Sequence, residues 1–430
     1  MKLLTLLDKQ LMSMGACILD NKNVQVKKKI LFLGAGEDQA IAIRLAKEMG
    51  IKTIAVDENP NAIGLSIADI GICTYINNVD FLIKLGRKNN IDGVMAHAVE
   101  IPQVVAKVAE ELDLPGITPE VAERATNKLE RIKCFKNNDI PHPRFETAET
   151  SEEAKIKSEK IGFPVVIKPL DKAGARGVLK VNTKAEVQAA FEEAKGFSKL
   201  RTVLIEEYLD GKEISTESVV NDGEIYTPCW ADRNYSQSEK YYPYMVEDGG
   251  ELPTKLSERE KKIVEETVKR AIRALGINFG AAKGDILIHN GQPYVLEMAA
   301  RTSGGRFCDT KVPLSNGVNI LKQLILMHIG EDIDINELTP KYNKSVVERT
   351  IAPKPGEILS ISGIERAKNI EGISQIYLKP EVKVGGHINA LTNNAEKIGY
   401  VIAIGDSHDS TIKRAEEAIE AIKIITKKEK

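Results

Sequence analysis

The chain has 430 residues, 60 Lys+Arg against 62 Asp+Glu, a formal net charge of −2 and a hydrophobic fraction of 42%. Such a length predicts two to four domains rather than one core, and the balanced charge with only 5% aromatics excludes a basic, base-stacking nucleic-acid platform. No run of about 18 apolar residues occurs, so no membrane-spanning helix is expected, and five scattered Cys without a CxxC pair suit a reducing cytoplasmic compartment rather than a disulfide framework or a thiolate zinc site.

Residues 1–28 read as a surface extension, because Asp8 and Lys9 interrupt their apolar patches. From Lys28 the pattern sharpens. Lys28-Lys29-Ile30-Leu31-Phe32-Leu33-Gly34 is a short apolar run ending in Gly, as a buried parallel strand is. A helix over 37–49 and a strand from Ile51 to Val56 complete a βαβ unit, and the alternation continues with strands near 69–76 and 93–96 and helices near 79–89 and 101–112. This predicts a doubly wound α/β domain. Gly34-Ala35-Gly36 opens like a dinucleotide fingerprint, with Asp57 as a candidate ribose contact, but position 39 is Gln; a tight turn or a substrate loop is the better reading. Thr118 and Pro119 start a helix expected to run to about Asn138, and Pro141 and Pro143 end it. Strands and helices then alternate to about 330, and a last α/β segment follows. His97 and His387 read as structural histidines.

Four clusters carry chemistry. Pro164 to Pro169 is an apolar strand with Lys168 near its end, followed by the small-residue stretch Asp171 to Val178, where Gly174, Arg176 and Gly177 could offer N–H groups and a cation to phosphate oxygens. Taken alone, that stretch reads as a hairpin loop. Thr202 to Leu209 is a buried strand ending in Glu206 and Glu207, with Glu213 close behind; alone, these read as solvated carboxylates. Gly284 to Glu297 is a hairpin with an Asn290-Gly291 turn signal. A two-residue loop would pair Asp285 with Leu296, whereas a three-residue Asn-Gly-Gln loop pairs Asp285 with Glu297. Two facing carboxylates are costly without a hard cation between them, so the three-residue loop is expected. Arg301-Thr302-Ser303-Gly304-Gly305-Arg306 then packs cations, hydroxyls and glycines as an anion site would.

The ordered set of Asn127-Lys128, Lys168, the small-residue loop, Glu206 to Leu209, Glu213, Asp285, and Glu297 to Arg301 resembles the ATP-grasp superfamily of ligases, in its biotin carboxylase-like and amino-acid (dipeptide) ligase-like branch. The resemblance implies an α/β fold with a doubly wound pre-ATP-grasp domain (29–117), an ATP-grasp domain (118–335, its lid about 140–210) and a carboxy-terminal domain (336–430). It implies ATP and Mg²⁺, with Mn²⁺ able to replace it. Lys128 and Lys168 would touch phosphates beneath the loop of Gly174, Arg176 and Gly177. Glu206, Glu207 and Leu209 would hold adenine, Glu213 the ribose, and Asp285 and Glu297 the metal. Arg301 would be catalytic with Lys168, and Ser303, Gly304, Gly305 and Arg306 would take the substrate, Arg306 as a carboxylate clamp. The pattern departs from the family at one place. The usual Glu-x-Asn-x-Arg reads Glu297-Met298-Ala299-Ala300-Arg301, and Ala299 leaves a second Mg²⁺ one ligand short. The expected activity is carboxylate–amine ligation through an acyl phosphate with release of ADP; a purine-pathway or bicarbonate-activating enzyme and a non-catalytic nucleotide-binding protein are the alternatives. Small-molecule carboxylate and amine partners are implied, without nucleic acid or membrane, and a homodimer is compatible.

Overall fold

The computed structural model describes residues 27–427, so the extension expected over 1–28 lies almost wholly outside the described residues. The first sheet is parallel, in the order Ile70–Cys73, Lys52–Asp57, Lys29–Leu33, Gly93–Met95. Its strands are apolar on both faces for a simple reason. Leu31, Leu33, Ile54, Val56 and Val94 face one layer, while Ile30, Phe32, Ala55 and Met95 face the other. The Gly34 turn, at φ +95°, is held from within: Asp57 Oδ2 accepts the Ala35 N–H at 2.7 Å. That bond gives Asp57 a structural partner in the turn itself.

The helix expected from 119 to about 138 is two helices, Pro119–Thr126 and Lys128–Asn137. Asn127 breaks it with extended backbone, and its side chain accepts from the N–H groups of Leu129 and Glu130, capping the second helix. Propensity favoured one long helix; a local side-chain bond divides it.

Residues 145–207 form a small antiparallel sheet in the order Phe145–Ala148, Val203–Glu207, Val165–Pro169, Leu179–Val181. Val165, Ile167, Leu179 and Ile205 bury one face against Ala154 and Phe191 of the helices Ser151–Ile161 and Val187–Phe197. The other large element is an eight-stranded antiparallel sheet in the order Gln292–Ala299, Phe279–His289, Lys212–Asn221, Glu224–Arg233, Gly250–Leu252, Ser345–Thr350, Gly399–Gly405, Ile373–Leu378. Its apolar face packs Ile214, Ala282, Ile286, Val295 and Met298 on the helix Glu258–Leu275. That helix is bounded by a Ser257/Glu260 capping box and a left-handed Gly276.

The last three strands of this sheet come from beyond residue 344. The carboxy-terminal segment expected as a domain of its own therefore extends the central sheet. Only its three-stranded sheet of Gly356–Ser362, His387–Ile388 and Lys423–Lys427 stands apart. The helix His408–Ala421 starts at the Ser407 cap, close to the Asp409 start expected.

Candidate active site

A cleft of about 1500 Å³ opens between the small sheet and the polar face of the central sheet. This exceeds the usual size of a single-ligand pocket and leaves room for more than one small molecule. Alternation along the strands explains why the chemistry collects on one face. Lys283 and Asp285, Glu213, Ser215 and Glu217, and Glu297 with Ala299 are two residues apart on neighbouring strands, so they project together while Ile214 and Ile286 project into the core.

Asp285 pairs with Glu297, as expected, but by another route. The turn is the two-residue Asn290-Gly291 type, both residues at positive φ (50° and 76°), with His289 opposite Gln292. A bulge then leaves Leu296 unpaired between Val295 and Glu297 and shifts the register by one. The three-residue loop is thus corrected, because the extra residue sits in the strand rather than in the turn.

Both carboxylates already hold cations. Asp285 accepts from Lys283, from Arg233 at 2.8 Å and from Ser215 Oγ at 3.0 Å. Glu297 lies 3.3 Å from Lys283 and 3.6 Å from Arg131. Burial works against the Glu297 charge, yet Lys283, Arg131, Lys128 and Arg301 hold its carboxyl well below the usual range. Lys283 is in turn raised: burial opposes its charge, and Asp285 and Glu297 outweigh burial. Arg233 is shared by Asp285, Glu213 at 3.2 Å and Glu247. Burial pushes the Glu213 carboxyl up to about 7, and Arg233 only partly offsets it.

Across the cleft, Lys168 forms a 2.5 Å pair with Glu206 on the neighbouring strand. Lys128 donates to the Lys172 carbonyl of the loop. Burial lowers its pKa to about 8, partly countered by Glu297 and reinforced by Arg131 and Lys168. Gly174 and Arg176 line the cleft, whereas Gly177 does not. A Cβ at Gly177 would stand 2.9 Å from the Phe197 ring, so this glycine serves close packing of the loop on a helix. Glu207 lines the rim, with its carboxylate held by Arg144 at 2.7 and 2.9 Å.

Arg301, Ser303, Gly304 and Gly305 also line the cleft. Arg301 pairs with Glu100 of the first domain. The buried Glu217 accepts the Ser303 N–H at 3.1 and 3.2 Å; burial pushes its carboxyl up to about 7, and Ser303 only partly offsets this. Arg306 is different. It is buried at φ +60°, donates to Tyr400 Oη at 2.9 Å and faces Asp38 at 3.5 Å, so its guanidinium is engaged inside the protein and off the cleft lining. His97 is likewise engaged, with Thr302 Oγ1 at 2.9 Å and Asp309 at 3.1 Å.

Arg131, Arg233 and Lys283 were absent from the sequence reading. Arg131 follows Lys128 by three residues on one helix, and Lys283 precedes Asp285 by two on one strand, so both carried a positional signal. Arg233 carried none, because its place depends on the pairing of distant strands.

Residues 125–305 match the ATP-grasp domain, and residues 349–427 match the L-amino acid ligase C-terminal domain 2. The uncharacterized protein y4rH of Sinorhizobium fredii is 27% identical over 360 residues, covering 80% of this chain and 71% of that protein. The carbamoyl phosphate synthase large chain of Thermotoga petrophila is 28% identical over 294 residues, 64% of this chain but only 26% of that protein, so the chain spans about a quarter of its length. The crystal structure of L-amino acid ligase from Bacillus licheniformis superposes with a TM-score of 0.79 at 20% identity, covering 94% of this chain and 99% of that one, and shares the fold. The chain thus carries an ATP-grasp domain over residues 125–305, followed by an L-amino acid ligase C-terminal domain 2 over residues 349–427.

Proposed function

We propose that the chain is an ATP-dependent carboxylate–amine ligase that activates a small carboxylate, an amino acid or similar metabolite, as an acyl phosphate and releases ADP and phosphate. One observation carries this reading: Lys128, Lys168, Asp285 and Glu297 converge on a single cleft. The match of residues 349–427 to the L-amino acid ligase C-terminal domain 2 supports the substrate class.

In this reading Lys128 and Lys168 draw the phosphates in as point charges, and the loop around Gly174 and Arg176 covers them. Glu206 and the backbone near Leu209 hold the adenine, and Glu213 the ribose. Asp285 and Glu297 fit a hard divalent cation, Mg²⁺ or Mn²⁺, because both are oxygen donors opposed across one hairpin and set in the cleft wall; when bound it supplies positive charge to the phosphates. Arg301 steadies negative charge on the transferred phosphoryl group, and Ser303, Gly304 and Gly305 border the acyl acceptor. Catalysis rests on positioning and electrostatics, with no protein nucleophile. The test is a screen of amino acids and small carboxylates, each with and without an amine, for phosphate release and for the nucleotide product. Amine-dependent ADP formation supports the reading. AMP and pyrophosphate, or turnover indifferent to every amine, rejects it.

A further inference from the structure

The space opposite Ala299 is filled by a cation. Lys283 is the direct cross-strand partner of Ala299, at the position where the resemblance leads one to expect an oxygen donor for a second metal. Paired residues share a face, so Lys283 and Ala299 project side by side on the face that carries the carboxylates. Its ammonium donates to Asp285 Oδ2 and reaches Glu297 Oε2 at 3.3 Å, bridging the two acids that would hold metal. Lys283 is 9% exposed, and a buried ammonium stays charged only when such partners compensate it. The carboxylates here already have cations: Asp285 and Glu297 share Lys283, Glu297 also faces Arg131, and Arg233 serves Asp285, Glu213 and Glu247. Two divalent ions would have to share two carboxylates that Lys283 already bridges, with one oxygen ligand missing at Ala299.

We propose that the Lys283 ammonium replaces one of the two metal ions of the site, so that the cleft takes a single divalent cation with the nucleotide. Resting on the ATP-grasp reading above, this makes Lys283 a cation that bridges the metal-binding carboxylates in every state, whereas a metal would come and go with ATP.

The experiment is a Mn²⁺ titration of the full chain saturated with a non-hydrolysable ATP analogue, with free Mn²⁺ read by its paramagnetic resonance signal. The wild-type chain is expected to bind one Mn²⁺. Lys283→Ala combined with Ala299→Asn, which removes the ammonium and restores a donor, is expected to bind two. Lys283→Ala alone should tighten Mn²⁺ at least about tenfold, since a like charge a few ångströms away is removed, and Lys283→Arg should restore the wild-type count. Two Mn²⁺ ions in the wild-type chain overturn the proposal, and that measurement needs no variant to fold. A Lys283→Ala chain that only melts earlier, with Mn²⁺ binding unchanged, also overturns it by showing a packing role. Failure of the wild-type chain to bind the analogue at all overturns the ATP-grasp reading, and this inference falls with it.

Discussion

Lys128 illustrates how one residue inherits its chemistry from where the chain turns. It begins a helix immediately after the Asn127 cap, and that places its ammonium in a buried wall beside Arg131 and Lys168. Burial then lowers its pKa to about 8. The sign follows directly. Below pH 8 the ammonium is charged and attracts phosphate; above it the free enzyme loses that charge. kcat/KM for ATP, which reports the free enzyme, is therefore expected to fall as pH rises through about 8, and Lys128→Met should lower the value and flatten that limb. A steady-state profile between pH 6.5 and 9.5 measures this, and an unchanged limb in Lys128→Met assigns the titration to another group. Lys168 and Glu297 face the same space from opposite walls. Lys168→Ala and Glu297→Ala are each expected to lower turnover by about 100-fold or more, the usual loss on deleting a preorganised charge, with an unchanged circular dichroism spectrum. Near-normal kcat in either folded variant removes that residue from the mechanism.

At the scale of elements, two short features set the site. One is the Asn127 cap. Its loss in Asn127→Ala is expected to cost about 1 kcal/mol of stability and to raise the KM for ATP, because Lys128 is the first residue of the capped helix; thermal melting and steady-state kinetics on the same preparation test both parts. The other is the bulge at Leu296. These features mark where the sequence could and could not be read. The parallel strands around Phe32 were legible because both faces are buried, and the facing of Asp285 and Glu297 was legible because unmatched buried acids are costly. The route to that facing was hidden, since a bulge and a longer turn give the same pairing. The cap was hidden too, because Asn at 127 competes with a helical pattern through one local bond that periodicity does not register. Arg306 shows the same limit, since its partners Asp38 and Tyr400 belong to the cleft lining and come from distant segments. Its neighbours in sequence suggested an anion site, but a left-handed backbone turns it toward Tyr400, a partner 94 residues away.

At the scale of the whole molecule, the carboxy-terminal segment is part of the catalytic body. Ser345–Thr350 continues the central sheet beyond Gly250–Leu252, and Val346, Val347, Val401, Ile402 and Ala403 are fully buried there. Two buried ion pairs cross the seam: Arg349 with Glu251 at 2.6 Å, and Lys311 with Glu348. The segment also reaches the cleft, where the Asn394 N–H donates to the Gly174 carbonyl at 3.0 Å and Lys397 lies 3.2 Å from Glu247. A chain ending at residue 340 would expose the edge of the short strand Gly250–Leu252, leave Glu251 with Lys255 but without Arg349, and strip Lys311 of Glu348. Leu252 and Val312 also pack in one core with Val346 and Ile402 and would lose that cover; each fully buried aliphatic side chain of this size contributes about 1.5–3 kcal/mol, and several together approach the whole stability of an ordinary domain. The truncated chain is therefore expected to be insoluble or to lack a cooperative melt, and supplying residues 341–430 as a separate chain should restore a cooperative transition. A soluble fragment 27–340 with a sharp thermal transition and undiminished affinity for the ATP analogue would show instead that the segment is a separable domain docked on a finished core.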